Sequence, residues 1–189
     1  MTTTTHPSPP VGTTTAVLRR LYLARAGFAL VWALLVVLTA SGLGPVSVAL
    51  LLLYPLVDLA AAVVDHRSSR VTRPAPALVV NMALSLLAVV GLAYAVTSGL
   101  RTVLLVWGAW AVTTGFVQLV VAVGRRALGG QWPMIVSGGL SVLAGAAFVA
   151  QSGTPGASLT GLAGYATLGG VFFLVSALRL RRAPAHDGR

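Results

Sequence analysis

From residue 19 onward the chain alternates long apolar runs with short polar or glycine-rich breaks. Six runs can be marked, at about 21–41, 46–64, 77–97, 102–123, 133–151 and 158–178. Each is about 20 residues long, which at a rise of ~1.5 Å per residue matches a hydrocarbon core of ~30 Å. Backbone amides in lipid have to be satisfied within their own segment, so each run is predicted to be a helix. The expected fold is an all-α membrane protein with six transmembrane helices arranged as three antiparallel hairpin repeats. Residues 1–18, "MTTTTHPSPPVGTTTAVL", are rich in Thr and Pro and lack an apolar period, so they are expected to be a disordered tail. Residues 19–182 then form the transmembrane domain and 183–189 a C-terminal tail.

The breaks sort into two kinds. The first, third and fifth, "SGLGP", "SGLR" and "SGTPGA", are short and glycine-rich and predict tight turns between antiparallel helices. The others carry arginine: Arg19, Arg20 and Arg25 before and inside the first run, Arg67, Arg70 and Arg73 after the second, Arg125 and Arg126 after the fourth, and Arg179, Arg181, Arg182 and Arg189 at the end. Arg101 alone falls on the other side. Positive charge is retained on the cytoplasmic face, which places both termini there. The stretch "RRLYLA" at residues 19–24 loosely resembles a twin-arginine export signal, but a basic, apolar N-terminus equally begins an ordinary first span, and no cleavage is expected.

The runs also resemble one another at a spacing of 54 to 56 residues. "LSLLA" at 84–88 returns as "LSVLA" at 140–144, and "WAVTTGFVQLVVA" from Trp110 returns as "YATLGGVFFLVSA" from Tyr165. Tyr54 opens "YPLVDLAAAVVDHR" in the corresponding place of the first hairpin. Small residues recur at intervals of four, at Ser137, Ser141 and Gly145 and at Gly91, Ala95 and Gly99, as expected where helices approach closely in lipid. Trp132 and Pro133 mark an interfacial anchor and a helix start.

Composition agrees with a bilayer setting: 57% of residues are hydrophobic and 8% charged, and the mean hydropathy is +0.90. The net charge of +10 sits in short clusters between apolar runs without interleaved aromatics, which argues against nucleic acid as a partner. The absence of cysteine excludes disulfides, thiolate metal sites and cysteine nucleophiles. The lipid bilayer is the expected partner; a second copy of the chain or another membrane protein is the class left open, and no small-molecule ligand is indicated.

Residues 105–149 carry a more specific pattern, made of Trp110, Gly115, Gln118, Arg125, Arg126, Gly130, Trp132, Ser137, Gly138, Leu140, Ser141 and Gly145. Tyr165, Gly170 and Arg179 continue it in the last hairpin. This pattern resembles the HdeD-like family of small bacterial membrane proteins, over residues 77–182 and more faintly before. The resemblance implies six spans and a link to acid or envelope stress, the family being named for acid-resistance proteins of enteric bacteria. It implies no catalytic residue, because its motif is built of glycine, serine and apolar packing residues.

One residue stands outside that pattern. In "LLLLYPLVDLAAAVV", residues 50–64, Asp58 is the one acid within the spans, at the place where the other two hairpins have Thr114 and Gly169. It falls seven residues inside the end of its span, at ~10 Å depth. Asn81, Gln118 and Ser137 fall at similar levels, and Arg25 at the end of the first span is long enough to reach toward them. An ionised carboxylate in hydrocarbon costs ~2.5 to 3.5 kcal/mol, so Asp58 should face the bundle and find a partner. The candidate intramembrane polar site is therefore Asp58, Arg25, Asn81, Gln118 and Ser137. It is expected either to fix helix packing or to form a protonatable site open to the cytoplasm. Pro55 adds local looseness by leaving the Leu51 carbonyl without its helical donor.

His66 beside Asp65 lacks further ligands at metal spacing, and no catalytic, cofactor or metal motif is present. The chain is expected to be a non-enzymatic integral inner-membrane protein of the HdeD-like type, without cofactors. The rival expectations are a small transporter or channel working through Asp58 and a scaffold subunit for another membrane protein.

Overall fold

In a computed structural model the chain is described over residues 11–68, 76–124 and 132–179. These residues form six helices, α1 Val11–Thr39, α2 Pro45–Ser68, α3 Pro76–Ser98, α4 Leu100–Gly124, α5 Trp132–Gln151 and α6 Thr160–Arg179, and no strand. All six are long and apolar enough to cross a membrane. The side chains of Asp65, His66 and Arg67, the arginines of the second and fourth connections, and those beyond Arg179 lie outside the described residues.

The boundaries follow local chemistry. α1 already includes Val11, the first described residue, so residues 11–18 of the expected disordered tail are helical. No proline interrupts residues 11–39. α2 opens on Pro45, and the buried Ser47 hydroxyl lies 2.9 Å from the carbonyls of both Thr39 and Gly42, supplying a donor to the end of α1. Gly99 alone separates α3 from α4, at φ 99°, a left-handed conformation that glycine adopts without strain. It belongs to that turn and not to a packing stripe. The Ser158 oxygen accepts from the Thr160 N–H at 3.1 Å and caps α6.

Consecutive helices touch in chain order, and α6 packs back on α1 to close a ring. The pairings run antiparallel: Arg25 meets Asp58 while Trp32 meets Leu50, and Gly108 meets Gly145 while Gly115 meets Gly138. The first and last described residues, Val11 and Arg179, therefore lie at one end of the bundle, here the terminal end. The closest approach is between α4 and α5. A Cβ added at Gly108 would lie 2.6 Å from the Gly145 carbonyl oxygen, and one at Gly145 the same distance from that of Gly108. Gly115 and Gly138 repeat the arrangement two turns away, at 2.8 and 2.9 Å. In lipid, little hydrophobic force pulls helices together, so this backbone contact is a main source of their association. Ser141 and Gly145 sit on this face as expected, with Gly138 rather than Ser137 completing it. α1 and α6 meet through Gly170, whose added Cβ would lie 3.3 Å from the Ala29 Cβ.

The backbones of α1 and α2, and of α5 and α6, run less closely, and side chains fill the space. Between α1, α2 and α4 these are rings: Tyr54 packs against Trp32, Trp107, Trp110 and Phe28 with centroids 4.7, 5.5, 6.2 and 5.6 Å away. Trp32 donates its indole N–H to the Leu50 carbonyl at 2.7 Å, one residue before the carbonyl that Pro55 strips of its donor. Leu51, Leu92, Leu104 and Leu162 complete the core. The outside is equally apolar: Leu38, Leu87, Val90, Phe116 and Leu143 are all exposed, a surface suited to acyl chains and unsuited to water.

Candidate functional site

Asp58 lies one helical turn from Tyr54 toward the terminal end of α2, facing the neighbouring helices. Its two oxygens divide the work. Oδ1 accepts from the Arg25 guanidinium of α1 at 2.5 Å, and Oδ2 accepts from the Ser85 hydroxyl at 2.9 Å and the Asn81 amide at 3.2 Å, both from α3. One carboxylate thus joins three helices. The pair is partly shielded, with 27% of the Arg25 side chain and 19% of the Asp58 side chain exposed. In that setting hydrogen bonds to a charged group contribute more than neutral ones, on the order of 1.5–3 kcal/mol each before allowing for the remaining exposure.

Arg25 has a second contact. Its guanidinium carbon lies 4.7 Å from the centre of the Phe173 ring of α6, and Phe173 in turn packs on Tyr22 at 6.0 Å. The cation is held between a carboxylate and an aromatic face, so α6 joins the cluster. Beside it is a small cavity of about 30 Å³ lined by Arg25, Phe28, Ala29, Tyr54, Val57, Asp58 and Phe173. That volume accommodates about two waters. Tyr54 bounds it on the side away from the terminal end, and beyond Tyr54 stand Trp107 and Trp110.

The other expected members of the site are elsewhere. Gln118 donates its amide to the Met134 carbonyl at 3.0 Å, tying α4 to α5. Ser137 contributes its carbonyl to the Ser141 hydroxyl at 3.0 Å. Depth along the helix placed these residues at one level with Asp58, but they occupy the opposite side of the ring. Ser141 also shares a hydrogen bond of 2.9 Å with the Tyr165 hydroxyl, a second polar link, between α5 and α6.

Two members of the cluster escaped the sequence reading. Ser85 is four residues after Asn81 and so on the same helical face, a spacing visible in "NMALS". Phe173 gives no such signal, since an aromatic in a membrane helix reads as lipid contact. Two indole N–H groups, of Trp107 and Trp110, are buried among rings without an oxygen or nitrogen acceptor among the described residues. Those residues also bring together no group of three His, Cys, Asp or Glu side chains that would hold a metal. Compared with known proteins, the chain matches no family model, no curated protein and no solved structure.

Proposed function

We propose that this protein is a non-enzymatic, multi-pass protein of the bacterial inner membrane, with both termini in the cytoplasm, that contributes to acid or envelope stress tolerance. Its resemblance to HdeD-like proteins supplies the stress connection, and the arginine distribution supplies the orientation. The observation that carries the non-catalytic, non-transporting part is the state of Asp58. Its oxygens are taken up by Arg25, Asn81 and Ser85, and the adjoining cavity ends at the aromatic layer around Tyr54. A transport pathway needs a polar route past that layer, and the layer is built of Trp32, Tyr54, Trp107 and Trp110.

The three-hairpin repeat belongs to this reading. Supporting it, residues 56 apart share burial: Ala29, Ser85 and Ser141 are buried, and so are Val36, Leu92 and Phe148. Tyr54, Trp110 and Tyr165 occupy matching places in the even helices. On this view Arg25, Asn81 and Ser137 are equivalent positions, and the first hairpin has acquired an acid and a base where its sisters keep neutral groups.

The test is a comparison of acid survival between the parent strain, a deletion strain and deletion strains carrying the wild-type or the Asp58→Asn gene. Loss of survival on deletion, restored by the wild-type gene, is expected; unchanged survival in the deletion strain contradicts the stress assignment.

A further inference from the structure

The surroundings of the Arg25 guanidinium describe a receptor as well as a support. A planar cation is bound by a carboxylate at 2.5 Å and covered by an aromatic ring at 4.7 Å, in a pocket whose other walls include Phe28 and Tyr54, themselves 5.6 Å apart. Carboxylate plus aromatic faces is the combination that recognises organic cations, because the ring quadrupole and the acid both attract a weakly hydrated positive charge. Sodium or another hard ion is poorly served here, since the walls offer rings instead of a shell of oxygens.

The bound group is on a flexible stem. Arg25 lies near the terminal end of the span with 27% of its side chain exposed, and a side chain of that length can carry its charge to the membrane interface. When it leaves, Asp58 remains anchored by Asn81 and Ser85, the vacated volume joins the existing cavity of about 30 Å³, and Tyr54 still closes the far side. We propose that this pocket is a binding site for small organic cations of the guanidinium class, with Arg25 as its displaceable internal occupant. The proposal deepens the reading of Asp58 as the polar centre of the bundle and is independent of any stress phenotype.

The test uses the full chain purified in detergent, with guanidinium chloride in the low millimolar range as the probe and equal sodium chloride as the control. Binding is read by calorimetry and by the fluorescence of the tryptophans around Tyr54. Saturable binding to wild type is expected, lost in Asp58→Asn and weakened in Phe173→Leu. In Arg25→Ala the internal competitor is gone; if Arg25 vacates the pocket in about one molecule in ten, apparent affinity tightens about tenfold. Should Arg25→Ala not fold, Arg25→Lys serves, because an ammonium lacks the planar fork and yields to guanidinium more readily than arginine does. No saturable binding to wild type overturns the proposal, even if guanidinium restores Arg25→Ala, since Arg25 is then a fixed strut. Equal binding to wild type and Asp58→Asn overturns it as well. Neither result bears on acid survival, which tests the stress assignment separately.

Discussion

A single carboxylate within apolar spans is informative because its free energy constrains its neighbours. Asp58 is surrounded by donors: a guanidinium, an amide and a hydroxyl. Asparagine at that position keeps the shape but supplies one acceptor oxygen and an NH₂ group that confronts donors. Asp58→Asn is therefore expected to lower stability by about 1–3 kcal/mol, measured as a fall in the thermal midpoint of the purified protein; a midpoint equal to wild type contradicts the account. The partners of Asp58 were only partly legible in the sequence. Helical rise gave its depth and so selected Asn81, Gln118 and Ser137 together, but depth does not reveal which side of a ring a helix occupies. Arg25 and Asn81 lie on helices that flank α2, whereas Gln118 and Ser137 lie on the α4–α5 pair. Gly99 makes a second case at this scale. At φ 99° an added Cβ is strained whatever the space around it, so Gly99→Ala is expected to destabilise the α3–α4 turn by about 1 kcal/mol or more.

Between helices, glycine decides where backbones touch. Gly108 and Gly145, and Gly115 and Gly138, face each other across α4 and α5 so closely that an added methyl would fall 2.6 to 2.9 Å from a carbonyl oxygen. Backbone cannot give way as a side-chain tip can. Gly108→Ala and Gly145→Ala are each expected to push the helices apart at a cost of about 1–3 kcal/mol, while Gly164→Ala, where nothing lies within 4 Å, should leave the thermal midpoint nearly unchanged. Similar losses at all three positions contradict this view of the interface. The element count, helix type and spans were all readable from the length and polarity of the apolar runs, since lipid leaves the backbone no alternative to helix. The helical state of residues 11–18 was not, because a Thr-rich composition describes an average preference that helical context overrides.

The described residues form a closed ring of six helices, with α6 returning to α1. The short turns make neighbours of consecutive helices, but nothing in the apolar pattern announces the closure, at which Gly170 of α6 lies against Ala29 and Leu30 of α1. The chain has no cysteine of its own, so closure can be probed by introducing a pair. At Ala29 and Gly170 the Cβ positions are 3.3 Å apart, near the separation a disulfide requires, and Ala29→Cys with Gly170→Cys is expected to cross-link under mild oxidation. The ring also explains why one acid matters to the entire molecule. α1 and α2 run less closely than most neighbours, and Arg25 and Asp58 span the gap between them while Phe173 engages the same arginine from α6. The central claim is that this pair acts as a unit holding the ring together. It is tested most directly by a double-mutant cycle, measuring unfolding free energy in mixed micelles for wild type, Arg25→Ala, Asp58→Ala and the double variant. The account predicts a coupling of about 1–3 kcal/mol, with the double variant less destabilised than the sum of the singles. Additive losses, with coupling below about 0.3 kcal/mol, would show that the two residues act independently and contradict the claim.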